Sequence, residues 1–178
     1  IRVVNWTMHA TSIDADITTP WGDASFTINM VGDFNLANVL AAIGLLAVEN
    51  KFEFQQIINA VPAITPAPGR MQSYRKSGVV PVVVDFAHTP DALKNVLATL
   101  AKQVEGRLAV VFGCGGNRDD SKRPLMAAVA EQLADVVCLT ADNPRHECLD
   151  TILEHIQAGL SSASCAKVMV EKDRQQAI

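Results

Sequence analysis

The chain has 178 residues, 49% hydrophobic and 19% charged, with a net charge of −4. That composition predicts a packed core and excludes a disordered chain. An acidic balance with no basic stripe argues against nucleic acid as a partner, and no apolar run approaches the about 20 residues that span a bilayer.

The chain opens on Ile1 rather than Met and ends at Ile178 within a helix signal, so it reads as a fragment of a longer protein. Residues 1 to 30 alternate. Val4, Trp6, Ile13 and Ile17 are interleaved with polar residues, Pro20-Trp21-Gly22-Asp23 reads as a turn, and Phe26 and Ile28 share a face. This is strand and hairpin material. Gly32-Asp33 then opens a helix, with Leu36, Val39, Leu40, Ile43 and Leu46 at helical spacing and Asn50 as its stop. Its alanine and leucine content predicts deep burial. Asn35 and Asn38 sit three apart on one face and read either as caps facing water or as ligand contacts. A shorter helix covers Phe54 to Val61. The stretch from Pro62 to Pro68 holds three prolines in seven residues and predicts an extended linker. The domain junction is placed there, giving units 1–65 and 66–178. Arg70, just beyond, reads either as a group reaching into an interdomain cleft or as a solvated surface arginine.

From Gly78 the pattern is regular. Val79 to Val84 is valine except for Pro81, the mark of a strand buried on both faces, with the proline near its start or on an edge. Thr89 is an N-cap with Pro90 at the first helical position, and Leu93, Val96, Leu97 and Leu100 face inward. Leu108 to Phe112 is a second strand. Pro124 starts the next helix, with Leu125, Met126, Val129 and Leu133 inward. Val136 to Leu139 is a third strand, and Leu149, Ile152, Leu153 and Ile156 mark a helix closed near Gly159. Lys167 to Val170 is a fourth strand, and Asp173 caps a last helix. Strand and helix alternate, so the fold class is α/β: a Rossmann-like domain with a mostly parallel sheet.

Polar groups gather at three strand ends: Asp85 with His88, Arg118 in the glycine loop Gly113-Cys114-Gly115-Gly116-Asn117-Arg118-Asp119, and Asp142 with Arg145 in Asp142-Asn143-Pro144-Arg145. Open parallel sheets bind ligands at that edge. Two guanidiniums and a carboxylate suit a ligand carrying both a carboxylate and an ammonium, such as an amino acid. Asp85 reads as an acceptor for ribose hydroxyls, a group near a metal, or a helix-dipole partner. His88 reads as a base, a nucleotide contact or a cap. The glycine loop completes neither G-x-x-x-x-G-K-[S/T] nor G-x-G-x-x-G, because Arg118 stands where the third glycine belongs. It either offers backbone N–H groups to an anion or is a tight turn. Cys114 reads as a small residue filling that turn rather than a catalytic thiol, and Cys138 as a small buried hydrophobe. Cys114, Cys138, Cys148 and Cys165 have neither C-x-x-C nor zinc-finger spacing, so a reducing cytoplasm is the default.

Five motifs occur in order: Asp33-Phe34-Asn35-Leu36-Ala37-Asn38, Gly69-Arg70-Met71, Asp85-Phe86-Ala87-His88-Thr89-Pro90, the glycine loop with Lys122-Arg123-Pro124-Leu125-Met126, and Asp142-Asn143-Pro144-Arg145. Together they resemble the Mur ligases of peptidoglycan synthesis, nearest to members that add meso-diaminopimelate to UDP-N-acetylmuramoyl-L-alanyl-D-glutamate. The resemblance implies that 1–65 is the tail of a P-loop-type central ATPase domain and 66–178 most of a C-terminal Rossmann-like domain. It implies ATP and Mg2+, the UDP-linked dipeptide and meso-diaminopimelate as partners, and an acyl phosphate attacked by the incoming amine. By match to the motifs, Asn38, Arg70, Asp85 and His88 are implied at the nucleotide. Arg118, Asp142, Asn143, Pro144 and Arg145 are implied at diaminopimelate, with Arg145 setting specificity over lysine. The P-loop, a carbamylated lysine and the UDP-sugar site are expected upstream of Ile1. A Gly-Lys-Gly-His-Glu segment is expected beyond Ile178, so the fragment alone is expected not to turn over. A lysine-adding ligase and a non-catalytic Rossmann-like binding module are the alternatives.

Overall fold

Alternation builds the first sheet. In the computed structural model, which describes residues 1–9, 11–162 and 167–178, three antiparallel strands run β1 (Arg2–Met8), β2 (Ile13–Thr19) and β3 (Gly22–Ile28) in the order β1-β2-β3. Every second residue of β2 is buried: Ile13, Ala15 and Ile17 face the core with Phe26 and Ile28 of β3. Val4 of β1 stays 61% exposed where the register slips between Val3 and Asn5 at a bulge, and Trp6, paired with the buried Ala15 on this edge strand, is still 42% exposed.

The helix α1 (Asp33–Glu49) ends where Asn50 takes the left-handed conformation, as its sequence predicts. Its burial is one-sided rather than deep. Leu36, Val39, Ile43 and Ala47 pack into the core, while Leu45 and Val48 are about 70% exposed. A cavity of 340 Å³ opens between α1 and α2 (Phe54–Ala60), lined by Val39, Ile43, Leu46, Phe52, Ile57 and Ile64. The proline-rich stretch begins as a 3-10 turn at Val61–Ala63, and Asn29 Nδ2 donates to the Pro62 carbonyl at 2.9 Å.

The valine run differs most from its sequence-based expectation. Pro81 has no N–H to donate, so the strand begins only after it. What remains is β5 (Val82–Val84), paired antiparallel with β4 (Gln72–Tyr74) in a two-stranded sheet of its own. Val79, Val80, Val82 and Val84 are all exposed, so this strand is not buried on both faces. Packing divides the chain into Ile1–Phe86 and Ala87–Ile178, with the 65/66 junction inside the first of these units.

The second unit is a three-stranded parallel sheet, β6 (Ala109–Phe112), β7 (Val136–Thr140) and β8 (Val168–Glu171), in that order. The central strand β7 buries Val137, Cys138, Leu139 and Thr140, as a strand covered on both faces must. Helix α3 (Pro90–Ala101) starts at Thr89, whose side chain accepts from the Ala92 N–H, with Pro90 at the first position. Helix α4 (Lys122–Leu133) begins two residues before Pro124, because Asp119 accepts both the Ser121 N–H and its hydroxyl and turns the chain in early. Proline is tolerated in a first turn, where the N–H has no helical partner. The buried stripe of α4 is Arg123, Met126, Ala127 and Ala130, and Leu125 points outward at 57% exposure, against expectation. Helix α5 (Leu149–Gln157) buries Ile152, Leu153 and Ile156, and α6 (Arg174–Ala177) is capped by Asp173. Cys165 lies outside the described residues.

These placements separate two leucine-sized side chains. Ile152→Ala, at 1% exposure, is expected to lower unfolding free energy by about 2–5 kcal/mol in urea denaturation. Leu125→Ala is expected to stay within about 0.5 kcal/mol of the parent.

Candidate functional site

Strands β6 and β7 run level, with Phe112 opposite Leu139. The loops that follow them, 113–121 and 141–148, therefore leave the same edge of the sheet. They are stitched together. The Gly116 N–H donates to the Asn143 carbonyl at 2.9 Å, and the His146 N–H donates to Asn117 Oδ1 at 3.0 Å. Arg145 Nη1 donates to the Gly116 carbonyl at 2.6 Å, and the Asn117 N–H donates to Glu147 Oε1.

This seam explains the glycines. Gly113, Gly115 and Gly116 all keep ordinary φ angles; left-handed backbone falls instead on Asn117 and Arg145, both at φ 51°. A Cβ on Gly116 would collide with the Pro144 carbonyl, and one on Gly113 with the Thr140 carbonyl. The glycines are there to let two backbones approach.

Beneath the seam lies Arg123, fully buried. Its Nη2 forms an ion pair with Glu147, 2.9 Å from Oε2, and donates to Glu147 Oε1 at 3.1 Å and to the Gly115 carbonyl at 3.3 Å; its Nη1 lies 3.1 Å from His155 Nδ1. A guanidinium only donates, so His155 Nδ1 is the accepting side of that contact. Glu147 is held below the usual glutamate range, first by the Asn117 N–H and then by Arg123. Cys114 is buried against Met126, and burial pushes its thiol up, so it stays protonated and serves packing.

The sequence-predicted residues fall into separate groups. Arg118, Asp142 and Arg145 are exposed on the two stitched loops; Asn143 and Pro144 carry the carbonyls that close the seam and its turn. In the first unit, the Arg70 guanidinium lies 4.6 Å over the Phe86 ring, and Asp85 Oδ2 accepts the Met71 N–H at 2.8 Å. Arg70 and Asp85 are therefore neighbours at the start of β4 and the end of β5. Asn35 and Asn38 do not act alike: Asn35 is buried and donates to the Val31 carbonyl at 2.8 Å, while Asn38 faces outward. In the second unit, His88 is exposed and its carbonyl accepts from Lys122 Nζ.

Sequence reasoning missed Arg123, Glu147 and His155. The signal for Arg123 was present. It stands at the first position of an i, i+3, i+4, i+7 stripe whose other members are Met126, Ala127 and Ala130. A cation on an apolar stripe announces a buried partner.

A family model described as Mur ligase, glutamate ligase domain matches residues 69–178. The chain belongs to the Mur ligase family. It is 43% identical over 95% of its length to a UDP-N-acetylmuramoyl-L-alanyl-D-glutamate–2,6-diaminopimelate ligase from Coxiella burnetii, of which it covers 34%. A protein of the same name from Chromobacterium violaceum is 46% identical over 91% of the chain, which covers 32% of it. A solved structure carrying that name superposes with a TM-score of 0.64 at 36% identity, over 98% of the chain and 35% of the other. The chain thus spans about a third of the length of the relatives it matches. The parallel sheet of this Mur ligase chain agrees with the Rossmann-like fold predicted for it. Among its described residues, no helix is long and apolar enough to cross a membrane.

Two outcomes follow for the Mur ligase seam. Because Glu147 titrates lower in the folded chain, its contribution is present above the usual glutamate range and is lost as pH falls through its lowered value. An NMR titration should show the Asn117 amide moving with the Glu147 carboxyl, at a midpoint below that of an unperturbed glutamate. Gly116→Ala should force the loops apart, read as faster exchange of the residue 116 and His146 amides while β7 keeps its protection.

Proposed function

We propose that this chain is part of an ATP-dependent ligase that joins meso-diaminopimelate to UDP-N-acetylmuramoyl-L-alanyl-D-glutamate through an acyl phosphate. The reaction belongs to cytoplasmic peptidoglycan synthesis. In this reading residues 1–65 are the end of the central ATP-binding domain and 66–178 an incomplete C-terminal domain. The observation that carries the reading is the seam: two hydrogen-bonded loops at one sheet edge bear Arg118, Asp142 and Arg145. The names of relatives 43% and 46% identical to the chain support the same reaction.

The chemistry of the seam suits the amine substrate. Diaminopimelate differs from lysine by a carboxylate on its far carbon. A zwitterionic end calls for guanidinium and carboxylate together, and lysine would leave a guanidinium unpaired. Arg145 is the specificity residue in this proposal, with Arg118, Asp142, Asn143 and Pro144 as its neighbours at the amino acid. Nucleotide contacts fall to Asn38, Arg70, Asp85 and His88. Arg70 lies 4.6 Å over the Phe86 ring, and a guanidinium held there has the planar fork that fits a phosphate. Asp85 orders the turn carrying Arg70 through the Met71 N–H. For magnesium, no three His, Cys, Asp or Glu side chains converge among the described residues. In this reading ATP and magnesium are bound mainly by upstream residues of the whole protein.

The test is phosphate release by the full-length enzyme with ATP, magnesium and the UDP-linked dipeptide, supplying meso-diaminopimelate and L-lysine separately. Release dependent on diaminopimelate is expected. Release with lysine alone would overturn the Arg145 assignment, and no amine-dependent release would overturn the ligase reading. Arg145→Ala should erode the preference for diaminopimelate by about 1.5–3 kcal/mol, roughly 10- to 150-fold.

A further inference from the structure

Among the described residues Arg123 is the one buried charge whose contacts reach both loops of the seam. We propose that it is a positioning residue for the amino-acid substrate, setting the spacing of the two loops that bear Arg118 and Arg145. The inference rests on the functional reading above and adds a residue to which that reading gives no role.

The argument starts from cost. A guanidinium in a core loses its hydration and is retained only where paired and hydrogen-bonded, and apolar side chains of similar volume often serve stability as well. The helical stripe it begins is otherwise Met126, Ala127 and Ala130, so an apolar residue would fit the pattern. What an apolar residue would not supply is the fork. One nitrogen, Nη2, reaches the Gly115 carbonyl in the first loop and Glu147 in the second; the other, Nη1, reaches His155 on α5. Glu147 passes the constraint on, since its Oε1 takes the N–H of Asn117, the residue before Arg118. Glu147 itself stands two residues beyond Arg145 in the same turn, where its N–H donates to the Pro144 carbonyl at 3.0 Å. One planar group thus ties the backbone beside each of the two surface arginines. Lysine, a compact point charge with no fork, would not span these partners.

The experiment uses the full-length enzyme and compares Arg123→Lys and Glu147→Gln with the parent. KM is measured separately for meso-diaminopimelate, ATP and the UDP-linked dipeptide. A loop displaced by a fraction of an ångström should lower kcat/KM for diaminopimelate by about 10- to 100-fold. The loss should appear in KM for diaminopimelate, with KM for the other two substrates unchanged. Since both variants cut the same link, the double variant should lose little more than the worse single one. Unchanged KM for diaminopimelate in the folded variants would overturn the proposal, as would a fall in kcat with every KM intact, which marks a purely structural role. If Arg123→Lys does not fold, Glu147→Gln decides alone by the same criterion, because its side chain is partly exposed at 28%. A parent enzyme with no diaminopimelate-dependent release would overturn the functional reading and this inference with it, a result distinct from an active parent with indifferent variants.

Discussion

The second unit turns on a cation in its core. Arg123 has no exposed surface, and among the described residues Glu147 balances its charge, with the Gly115 carbonyl and His155 as further acceptors. An unpaired charge at that depth would be strongly destabilising. The partners must therefore sit where they do, and their positions fix both loops at the carboxyl edge. The parallel register of β6 and β7 brings the loops to one edge; the buried pair determines how they meet there.

This arrangement changes how the glycine loop is understood. A run of glycines after a strand suggests a phosphate cradle, in which glycine is needed for backbone N–H groups to close around an anion. Here the N–H of Gly116 is already given to Asn143, and the missing Cβ atoms make room for the carbonyls of Thr140 and Pro144. The strained conformations sit on Asn117 and Arg145 instead. The loop gives the N–H groups of Gly116 and Asn117 to its neighbour, and it presents the Arg118 side chain to solvent.

How much was readable beforehand depended on whether the signal was local. The alternation of Ile13, Ala15 and Ile17 marked β2, the Thr89-Pro90 pair marked the start of α3, and Asn50 marked the end of α1, because each works through near neighbours in the chain. The valine run misled because valine reports a pleated surface and says nothing of what covers it. Pro81 then shortened the strand to three residues, and an antiparallel partner took it. In α4 the inward set was read too far along the helix, since Arg123 looked polar and Leu125 looked apolar, and the tertiary pair reversed both. That Arg118, Asp142 and Arg145 reach one sheet edge was legible from the strands before their loops. Glu147 and His155 were not, because their roles exist only once the loops are folded together.

The separation of Arg123 and Glu147 along the chain also orders assembly. They lie 24 residues apart, with the whole of β7 between them. Before β7 lies against β6, Glu147 is not at the first turn of α4, and the Arg123 guanidinium keeps its water. The helix can seat its N-terminal end only when the crossover is complete and the following loop has arrived. A chain whose second loop has not arrived therefore has no seam. The edge matures together with the last connection of the β6–α4–β7 unit, so a molecule that presents the seam has already finished folding beneath it.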